Sequence, residues 1–385
     1  MDFKFFYKEI QEEIISARRY FHQNPELGFC EYKTADKICE ILDKYNINYK
    51  RNIAKTGIVA QVGTDTEKVL LIRADMDALP IEEKTGLDFS SINKGLMHAC
   101  GHDIHISVCL AAAIILKKNE SKLKGTVKFV FQPAEETTGG AAPMISEGIM
   151  SNPKVTAAIG AHVSAEIPCG YFQVKSGALM ASPDDFEVVF KGKSTHGAQP
   201  ENGISPIIPA CEFTLELEKL KESLCKGTPN VLSVCSVISN GGVNTIPDNA
   251  TVLGTFRSFD EKHRKLAETE IDNLASQISL KHNNKYKFKY NYLYPPVINN
   301  ELMTSKLFSV VKDTFDEKNI SIMDKPLMTG EDFAYFANEV PSVFFWYGGM
   351  DKNPCALHSS DFVVNEEAIE KCANIFVNFA LDYLG

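Results

Sequence analysis

Two kinds of apolar pattern alternate along the first half of the chain. Apolar side chains at helical spacing predict helices, and short apolar runs bounded by turn residues predict strands. The predicted helices cover residues 4–21, 33–45, 104–117 and 140–149. The predicted strands cover residues 57–63, 68–75, 125–132 and 156–162. This alternation predicts an α/β fold, with a mainly parallel sheet and helices on both of its faces.

The order of the elements changes beyond residue 184. Strands and helices then follow in the order βαββαβ, which is typical of a small ferredoxin-like domain. The strands are predicted at 185–193, 230–239, 250–259 and 285–291, and the helices at 205–220 and 261–280. Later elements, at 302–317, 341–349 and 366–383, can rejoin the first sheet. We therefore predict one domain from residues 1–183 and 293–385, interrupted by an inserted domain at 184–292.

Polar, ionisable residues follow three of the apolar strands. Asp75 ends one strand, Glu135 and Glu136 follow another, and His162 ends a third. In open α/β sheets, ligands bind at the carboxyl ends of the strands. Three such ends that carry metal-ligand chemistry predict a single site.

Composition and charge exclude several classes of protein. The chain has 385 residues, more than one core usually fills, which supports two domains. A net charge of −10 argues against a nucleic-acid partner, because phosphate binding needs a basic surface. Acidic residues interrupt the first residues of the sequence, so they do not have the basic region and following apolar region of a signal peptide. No apolar run is long enough to span a bilayer. We expect a cytoplasmic protein without a membrane partner, whose ten cysteines are free thiols.

The segment MHACGHDIHI, residues 97–106, is the densest chemical signal in the chain. It contains three histidines, a cysteine and an aspartate. Thiolate and imidazole are the ligands that zinc prefers, so this combination favours a metal site. A lone cysteine or histidine would more often be structural. Spacing alone does not decide which histidine binds.

FQPAEE, residues 131–136, places two adjacent carboxylates just past an apolar strand. In an exposed helix such a pair is unremarkable. At a strand end, one glutamate can bind a metal while its neighbour acts as general base towards a water molecule. We favour the functional interpretation for Glu135 and Glu136.

Other candidates remain ambiguous from local sequence. Asp75 either orients a metal ligand or simply favours the turn after its strand. His358 is isolated, and a structural histidine is its default interpretation. In the predicted inserted domain, His196 lies in a polar loop, and Asn244 and Arg257 lie near strand ends. Arginine suits a carboxylate group, but surface charge explains Arg257 equally well.

Several motifs together resemble the aminoacylase/carboxypeptidase-G-like metallopeptidases. The resemblance is to the branch with hippurate hydrolase, auxin-conjugate amidohydrolases and N-acetyldiaminopimelate deacetylase. The matching segments cover nearly the whole chain in order, and are HQNPELGFCE, RADMDALP, MHACGHDIH, FQPAEE, GAHV, KSTHGAQP, TGEDF and ALHSSDF. The resemblance implies a sheet of the metal-dependent exopeptidase type, and an inserted lid and dimerisation domain.

The same resemblance implies a ligand set for two divalent metal ions. The implied ligands are Cys100, His102, Glu136, His162 and His358. Cys100 would bridge the two ions, which are zinc or, alternatively, manganese, cobalt or nickel. Arg73 stands where several relatives have a histidine ligand. His98 and His105 are then expected to be structural or supporting residues.

The resemblance also implies roles for residues that bind no metal. Glu135 would be the general base and acid, and Asp75 would support the ligands. His196 would reach the active site of a partner subunit in a homodimer and stabilise the oxyanion. Asn244 and Arg257 would hold the carboxylate of the substrate. Glu331 would line the site in an undefined role.

The expected reaction is hydrolysis of an N-acyl amino acid, a small-molecule amide. Two alternatives stay within the enzyme class, a dipeptidase and an N-acetyldiaminopimelate deacetylase. A third is a non-catalytic binding protein on the hydrolase fold. That protein should have lost the base or a ligand, whereas Glu135 and all five candidate ligands are present.

Overall fold

The chain divides into two compact units in a computed structural model that describes residues 2–64, 67–224 and 226–385. The first unit contains residues 1–179, 298–325 and 332–385, and the second contains 180–297 and 326–331. The second unit thus includes a short segment, Pro326–Glu331, that lies far beyond the predicted inserted domain in the sequence.

Nine α-helices and sixteen strands occur in the described ranges. The helices are α1 Phe3–Gln23, α2 Tyr32–Lys44, α3 His102–Lys118, α4 Ala141–Ser146, α5 Ile207–Ser223, α6 Glu261–Lys281, α7 Glu301–Thr314, α8 Ala334–Glu339 and α9 Glu367–Leu384. The strands are β1 Asn48–Ile53, β2 Gly57–Val62, β3 Val69–Asp75, β4 Thr126–Gln132, β5 Ala157–Pro168, β6 Phe172–Val174, β7 Gly177–Met180, β8 Ser182–Lys191, β9 Thr195–His196, β10 Val231–Ser239, β11 Thr245–Ile246, β12 Asn249–Ser258, β13 Lys285–Asn291, β14 Val297–Asn299, β15 Ile320–Ile322 and β16 Ser342–Met350.

An eight-stranded sheet forms the centre of the first unit, in the order β1-β2-β4-β3-β5-β16-β6-β15. Its middle strands β4, β3, β5 and β16 are parallel neighbours, while β1, β2 and β6 add antiparallel pairings towards the edges. The predicted α/β class with a mainly parallel core is confirmed.

Burial in the first unit follows from the apolar runs in the sequence. Strands β3 and β4 are buried along their whole length, as strands covered on both faces must be. Helix α3 is buried from residue 102 to 116 and packs against α1 and α9. The start of α3 is therefore held by packing, and it carries the cysteine–histidine motif.

An antiparallel four-stranded sheet, in the order β10-β12-β8-β13, forms the second unit with α5 and α6. Its own apolar core includes Phe186, Phe213, Phe256 and Ile271. The predicted βαββαβ order is confirmed. Two short strands in its loops, β9 and β11, also pair with each other.

Two further observations bear on expectations from composition. No helix in the described ranges has the length and apolar character needed to cross a membrane. The nine described cysteines are all free thiols, and the tenth, Cys225, lies outside the described residues.

Candidate metal centre

The candidate residues of the first unit gather at the carboxyl edge of its parallel strands. Asp75 ends β3 and Glu135 and Glu136 follow β4, whereas His162 lies inside β5, which continues to Pro168 and does not end at the histidine as predicted. Cys100 lies two residues before the start of α3. Since the carboxyl ends of parallel strands meet at one edge, residues distant in the sequence share this site.

The turn into α3 depends on Gly101, which lies between Cys100 and His102. Its φ of +80° is in the left-handed region that other residues rarely adopt. A Cβ at this position would lie 2.4 Å from Val163 Cγ1. Glycine therefore lets the chain turn sharply beside β5, so that both flanking side chains face the same site.

Two groups of potential metal ligands meet at one thiol. Cys100, His102 and His162 form the first group, and Cys100, Glu136 and His358 form the second. Within each group, the ligand atoms all lie within 4.8 Å of one another. All are residue types that bind divalent transition metals. The arrangement has the composition of two adjoining metal sites that share Cys100.

The distances between these atoms suit a small divalent cation. Cys100 Sγ lies 3.3 Å from His162 Nε2 in the first group, and Glu136 Oε1 lies 3.2 Å from His358 Nε2 in the second. Ligands about 2.0–2.3 Å from a tetrahedral zinc ion are separated from each other by roughly 3.3–3.8 Å. The residues present therefore fit a metal.

Two imidazoles are oriented with Nε2 towards this cluster. His162 Nδ1 lies 2.7 Å from the carbonyl oxygen of Val163, and His102 Nδ1 lies 2.8 Å from that of Asp77. Because a carbonyl only accepts, each Nδ1 donates, and in the neutral ring Nε2 keeps the lone pair that a metal needs. His102 Nε2 and Glu136 Oε1 are buried without a well-aligned hydrogen bond to any described residue. A bound cation would satisfy both atoms.

His105 lies in the same cluster, but both of its nitrogens are engaged. Nδ1 lies 2.6 Å from Asp75 Oδ1, and Nε2 accepts the backbone N–H of Val163 at 2.9 Å. Nδ1 therefore donates to the carboxylate, and the ring has no lone pair left for a metal. His105 connects Asp75 to the strand that carries His162.

Two carboxylates hold the loop that carries the adjacent glutamates. Asp77 accepts the backbone N–H groups of Glu135 and Glu136, each at 3.0 Å. Glu31 accepts that of Ala134 at 2.9 Å, where the backbone has a left-handed φ of +59°. Three consecutive N–H groups are thus fixed by side chains more than 50 residues away in sequence.

A buried arginine supports the site from the sheet side. Arg73 donates to Asp75 at 2.5 Å, to Gln132 at 3.0 Å and to Asp332 at 2.7 Å. Asp332 also accepts from Gln132 and from the backbone N–H of Ala141. Buried charges need such partners, and this network fixes the strand end at Asp75.

Carboxylates give the pocket a strongly negative potential. Although burial opposes protonation, Asp75 and Asp77 raise the pKa of His102 to about 10. Burial raises the pKa of the Cys100 thiol, and Glu136 raises it further. Positive charge is therefore favoured at this place, and a thiolate would form there only together with a cation.

The second unit holds the remaining candidates in two places. His196 in β9 pairs with Thr245 in β11, and the carbonyl of the preceding Asn244 accepts the N–H of Gly197 at 2.6 Å. Arg257 lies near the far end of β12, eight residues after that strand begins, which is roughly 26 Å along it. The structure brings His196 and Asn244 together, but not Arg257. Glu331 is buried and belongs to this unit.

Sequence reasoning missed several supporting residues. Glu31, Gln132 and Asp332 each contact the site through partners that lie far away in the sequence. Asp77 lies two residues after Asp75 in the RADMDALP segment. Its position beside RAD offered a signal, because a carboxylate after a buried strand can bind backbone N–H groups of a neighbouring loop.

The site and fold together are those of a metal-dependent hydrolase: cysteine, histidine and glutamate side chains that could bind metal lie at the carboxyl edge of a parallel sheet, with a second glutamate beside them. Residues 71–382 match the model of peptidase family M20/M25/M40. The chain belongs to this family, which confirms the family and enzyme class predicted from the sequence.

Relatives and solved structures resemble the chain over nearly its whole length. It is 35% identical to N-acetyl-L-cysteine deacetylase of Bacillus subtilis, over 94% of this chain and 86% of the relative. It is 34% identical to IAA-amino acid hydrolase ILR1-like 4 of Arabidopsis thaliana, over 96% and 86%. The YXEP protein of Bacillus subtilis, described as a dinuclear metal binding peptidase, superposes with a TM-score of 0.84 at 33% identity, over 98% and 99%.

Proposed function

We propose that the protein hydrolyses the amide bond of N-acyl amino acids, using two divalent metal ions. The five implied ligands would hold them: Cys100, His102, Glu136, His162 and His358. The observation that carries this proposal is the meeting of two ligand groups at Cys100. The names of the relatives, which refer to N-acetyl-L-cysteine and IAA-amino acids, support the substrate class. The dinuclear YXEP protein supports two ions per chain.

The chain's own residues divide the chemistry. When bound, the metal ions would polarise the amide carbonyl and acidify a water molecule. Glu135 takes the proton of that water and returns it to the leaving nitrogen. Asp77 fixes the backbone of Glu135 by accepting its N–H, so the side chain of Glu135 extends from a fixed backbone position. Asp75 supports the ligands through His105, and its Oδ2 lies 3.6 Å from His102 Nε2.

His196 is suited to stabilising the oxyanion. Its Nδ1 accepts the backbone N–H of Ala198 at 3.1 Å, so in the neutral ring Nε2 carries the proton and can donate. The side chain is exposed, as a residue that serves a second copy of the chain must be. Asn244 lies beside it and is a candidate for binding the substrate. Arg257 stays a candidate for binding the substrate carboxylate.

The dimer itself is proposed to form through the second unit. Strand β10 lies at one edge of its sheet and exposes Val237 and Ile238, which are 48% and 53% accessible. An exposed apolar edge strand is usually covered in solution, because it otherwise favours aggregation.

The role of Glu135 is tested by Glu135→Gln, with the exposed Glu339→Gln as control. We expect Glu135→Gln to keep both metal ions by elemental analysis and to lose at least about 100-fold in kcat, because the proton acceptor is gone. Glu339→Gln should behave as wild type. Full turnover in Glu135→Gln would disprove the assigned role.

Metal and substrate identity are tested on the same preparation. We expect about two ions per chain by elemental analysis and hydrolysis that a chelator abolishes and zinc, manganese, cobalt or nickel restores. The substrates to compare are N-acetyl-L-cysteine, other N-acetyl amino acids, hippurate, an IAA-amino acid, N-acetyldiaminopimelate and dipeptides. Turnover confined to dipeptides would contradict the proposed substrate class.

A further inference from the structure

An indole ring covers one face of a proposed metal ligand. The ring of Trp346 lies 4.8 Å from the imidazole of His162, with 37° between their planes. The two residues are register partners in the parallel strands β16 and β5. Trp346 is only 7% accessible, so the contact is shielded from water.

The imidazole of His162 is restrained from several directions. Its Nδ1 donates to the carbonyl oxygen of Val163, which sets the direction of the ring but leaves its tilt free. The rings of His105 and His162 form an edge-to-face pair, with a centroid distance of 4.7 Å and 77° between their planes. The indole restricts the remaining tilt, and Nε2 then lies 3.3 Å from Cys100 Sγ.

The indole nitrogen takes no part in this restraint. Trp346 Nε1 is buried and has no hydrogen-bond partner in the described part of the chain. A buried indole N–H normally finds an acceptor, but this one has none among the described residues. The contribution of Trp346 to the restraint therefore comes from its aromatic face. Phenylalanine should therefore replace it better than an aliphatic residue of similar burial.

We propose that Trp346 is a positioning residue that holds the His162 imidazole for metal binding, and that its fluorescence reports occupation of that site. This inference rests on the proposed two-metal function. Only the first ligand group, Cys100, His102 and His162, contains the restrained ring. Loss of the indole should thus weaken one of the two metals selectively. Trp346 is the only tryptophan in the chain, so its emission has no competing source.

The test uses Co²⁺ added to the metal-free full-length protein, with tryptophan emission and the visible absorption of bound cobalt recorded together. In the wild type we expect two equivalents of cobalt to bind and the emission to be quenched mainly by one of them. Competition with a chelator then gives the affinity of each site in three variants: Trp346→Leu, Trp346→Phe and Phe344→Leu.

Phe344→Leu is the matched control, because Phe344 is buried in the same strand but packs on Phe333. We expect Trp346→Leu to bind one cobalt at least about tenfold more weakly and the other normally, as is typical when a group that orients a ligand is lost. Trp346→Phe should recover most of the affinity, and Phe344→Leu should keep both sites.

The outcomes separate this inference from the proposed function. The role of Trp346 would be overturned if Trp346→Leu bound both cobalt ions with wild-type affinity, or if both equivalents of cobalt quenched the wild-type emission equally. Either result would leave the proposed metal site intact. An equal loss of both sites in Trp346→Leu and Phe344→Leu would show a general packing defect and would also overturn it. A wild-type protein that binds no cobalt would overturn the proposed function itself.

Discussion

Two carboxylates that are not among the proposed metal ligands fix the backbone around Glu135 and Glu136. Glu31 and Asp77 together accept three consecutive N–H groups of residues 134–136. Without them, a loop with a left-handed residue at Ala134 would be free to relax. The proposed base, Glu135, and the proposed metal ligand, Glu136, are thus positioned through their backbone.

Asp77→Asn tests this positioning. Asparagine keeps the size of the side chain, but its amide nitrogen cannot accept from either N–H group, so one of the two bonds is lost. We expect kcat to fall about 10–100-fold and unfolding to become easier by about 1–3 kcal/mol. Kinetics and urea unfolding measure both effects. The exposed Asp324→Asn is the control, and equal behaviour of the two variants would refute the role of Asp77.

The raised pKa of Glu31 predicts that the stability of the fold depends on pH. Burial raises its pKa from 4.5 to about 7, against the opposing hydrogen bond from Thr56. Between pH 4.5 and about 7, the carboxyl group of Glu31 holds a proton in the folded chain that it has released in the unfolded chain. The stabilisation that comes from this bound proton is therefore fully present below pH 4.5 and is lost as the pH rises towards 7.

Glu31→Gln should remove this decrease of stability with rising pH, because glutamine does not titrate. We expect wild-type stability to fall by about 2–3 kcal/mol more than that of the variant between pH 4.5 and 7. Urea unfolding at several pH values measures the difference, with the exposed Glu82→Gln as control. Parallel profiles for wild type and Glu31→Gln would contradict the prediction.

At the scale of elements, the start of α3 is where backbone conformation and metal site are coupled. Gly101→Ala combines a left-handed φ with a clash against Val163, whereas Gly86→Ala has a similar φ of +71° and no described atom within 4 Å of its new Cβ. The pair separates strain from clash. We expect Gly86→Ala to cost about 1–2 kcal/mol and Gly101→Ala to cost more.

Only Gly101→Ala should also weaken metal binding, because it moves Cys100 and His102 together. Thermal unfolding and elemental analysis of both variants provide the measurement. If Gly101→Ala binds metal as tightly as Gly86→Ala, the close turn is not needed for the site.

Elements with a long apolar run were predictable, and short polar ones were not. Strands β3, β4 and β16 and helix α3 lie within a few residues of their predicted bounds, because burial on all sides requires continuous apolar sequence. Strand β1, with the sequence NYKRNI, was missed because its side chains are mostly exposed and tertiary pairing alone makes it a strand. The helix predicted at 140–149 ends earlier, at Ser146, shortly before Gly148 with φ +88°.

The candidate site was predictable only as far as its motifs are local. Cys100 and His102, or Glu135 and Glu136, are close in sequence and carry their chemistry visibly. His358 offered no local signal, and only the family resemblance singled it out. The contact of Asp332 with Arg73 spans 259 residues, so no pattern along the chain could indicate it.

For the whole molecule, the proposed dimer determines which copy of the chain supplies the proposed oxyanion donor, His196. His196 belongs to the second unit and is exposed, and in the neutral ring its Nε2 carries the proton that it can donate to a substrate. The proposed homodimer would place it in the site of the other copy. Two inactive variants can then restore each other, because one copy lacks the base and the other lacks the donor.

Mixing Glu135→Gln with His196→Ala tests this directly. In a mixed dimer, one of the two sites pairs an intact Glu135 with an intact His196 from the other copy. With random exchange, about half of the dimers are mixed, so we expect activity to recover to about a quarter of wild type. Each variant alone should stay nearly inactive, and light scattering should report a dimer. If His196 acts within its own chain, every site in the mixture lacks one group and no activity returns. Recovery would therefore assign the oxyanion donor to the second copy, and it would mean that a monomer lacks a complete active site.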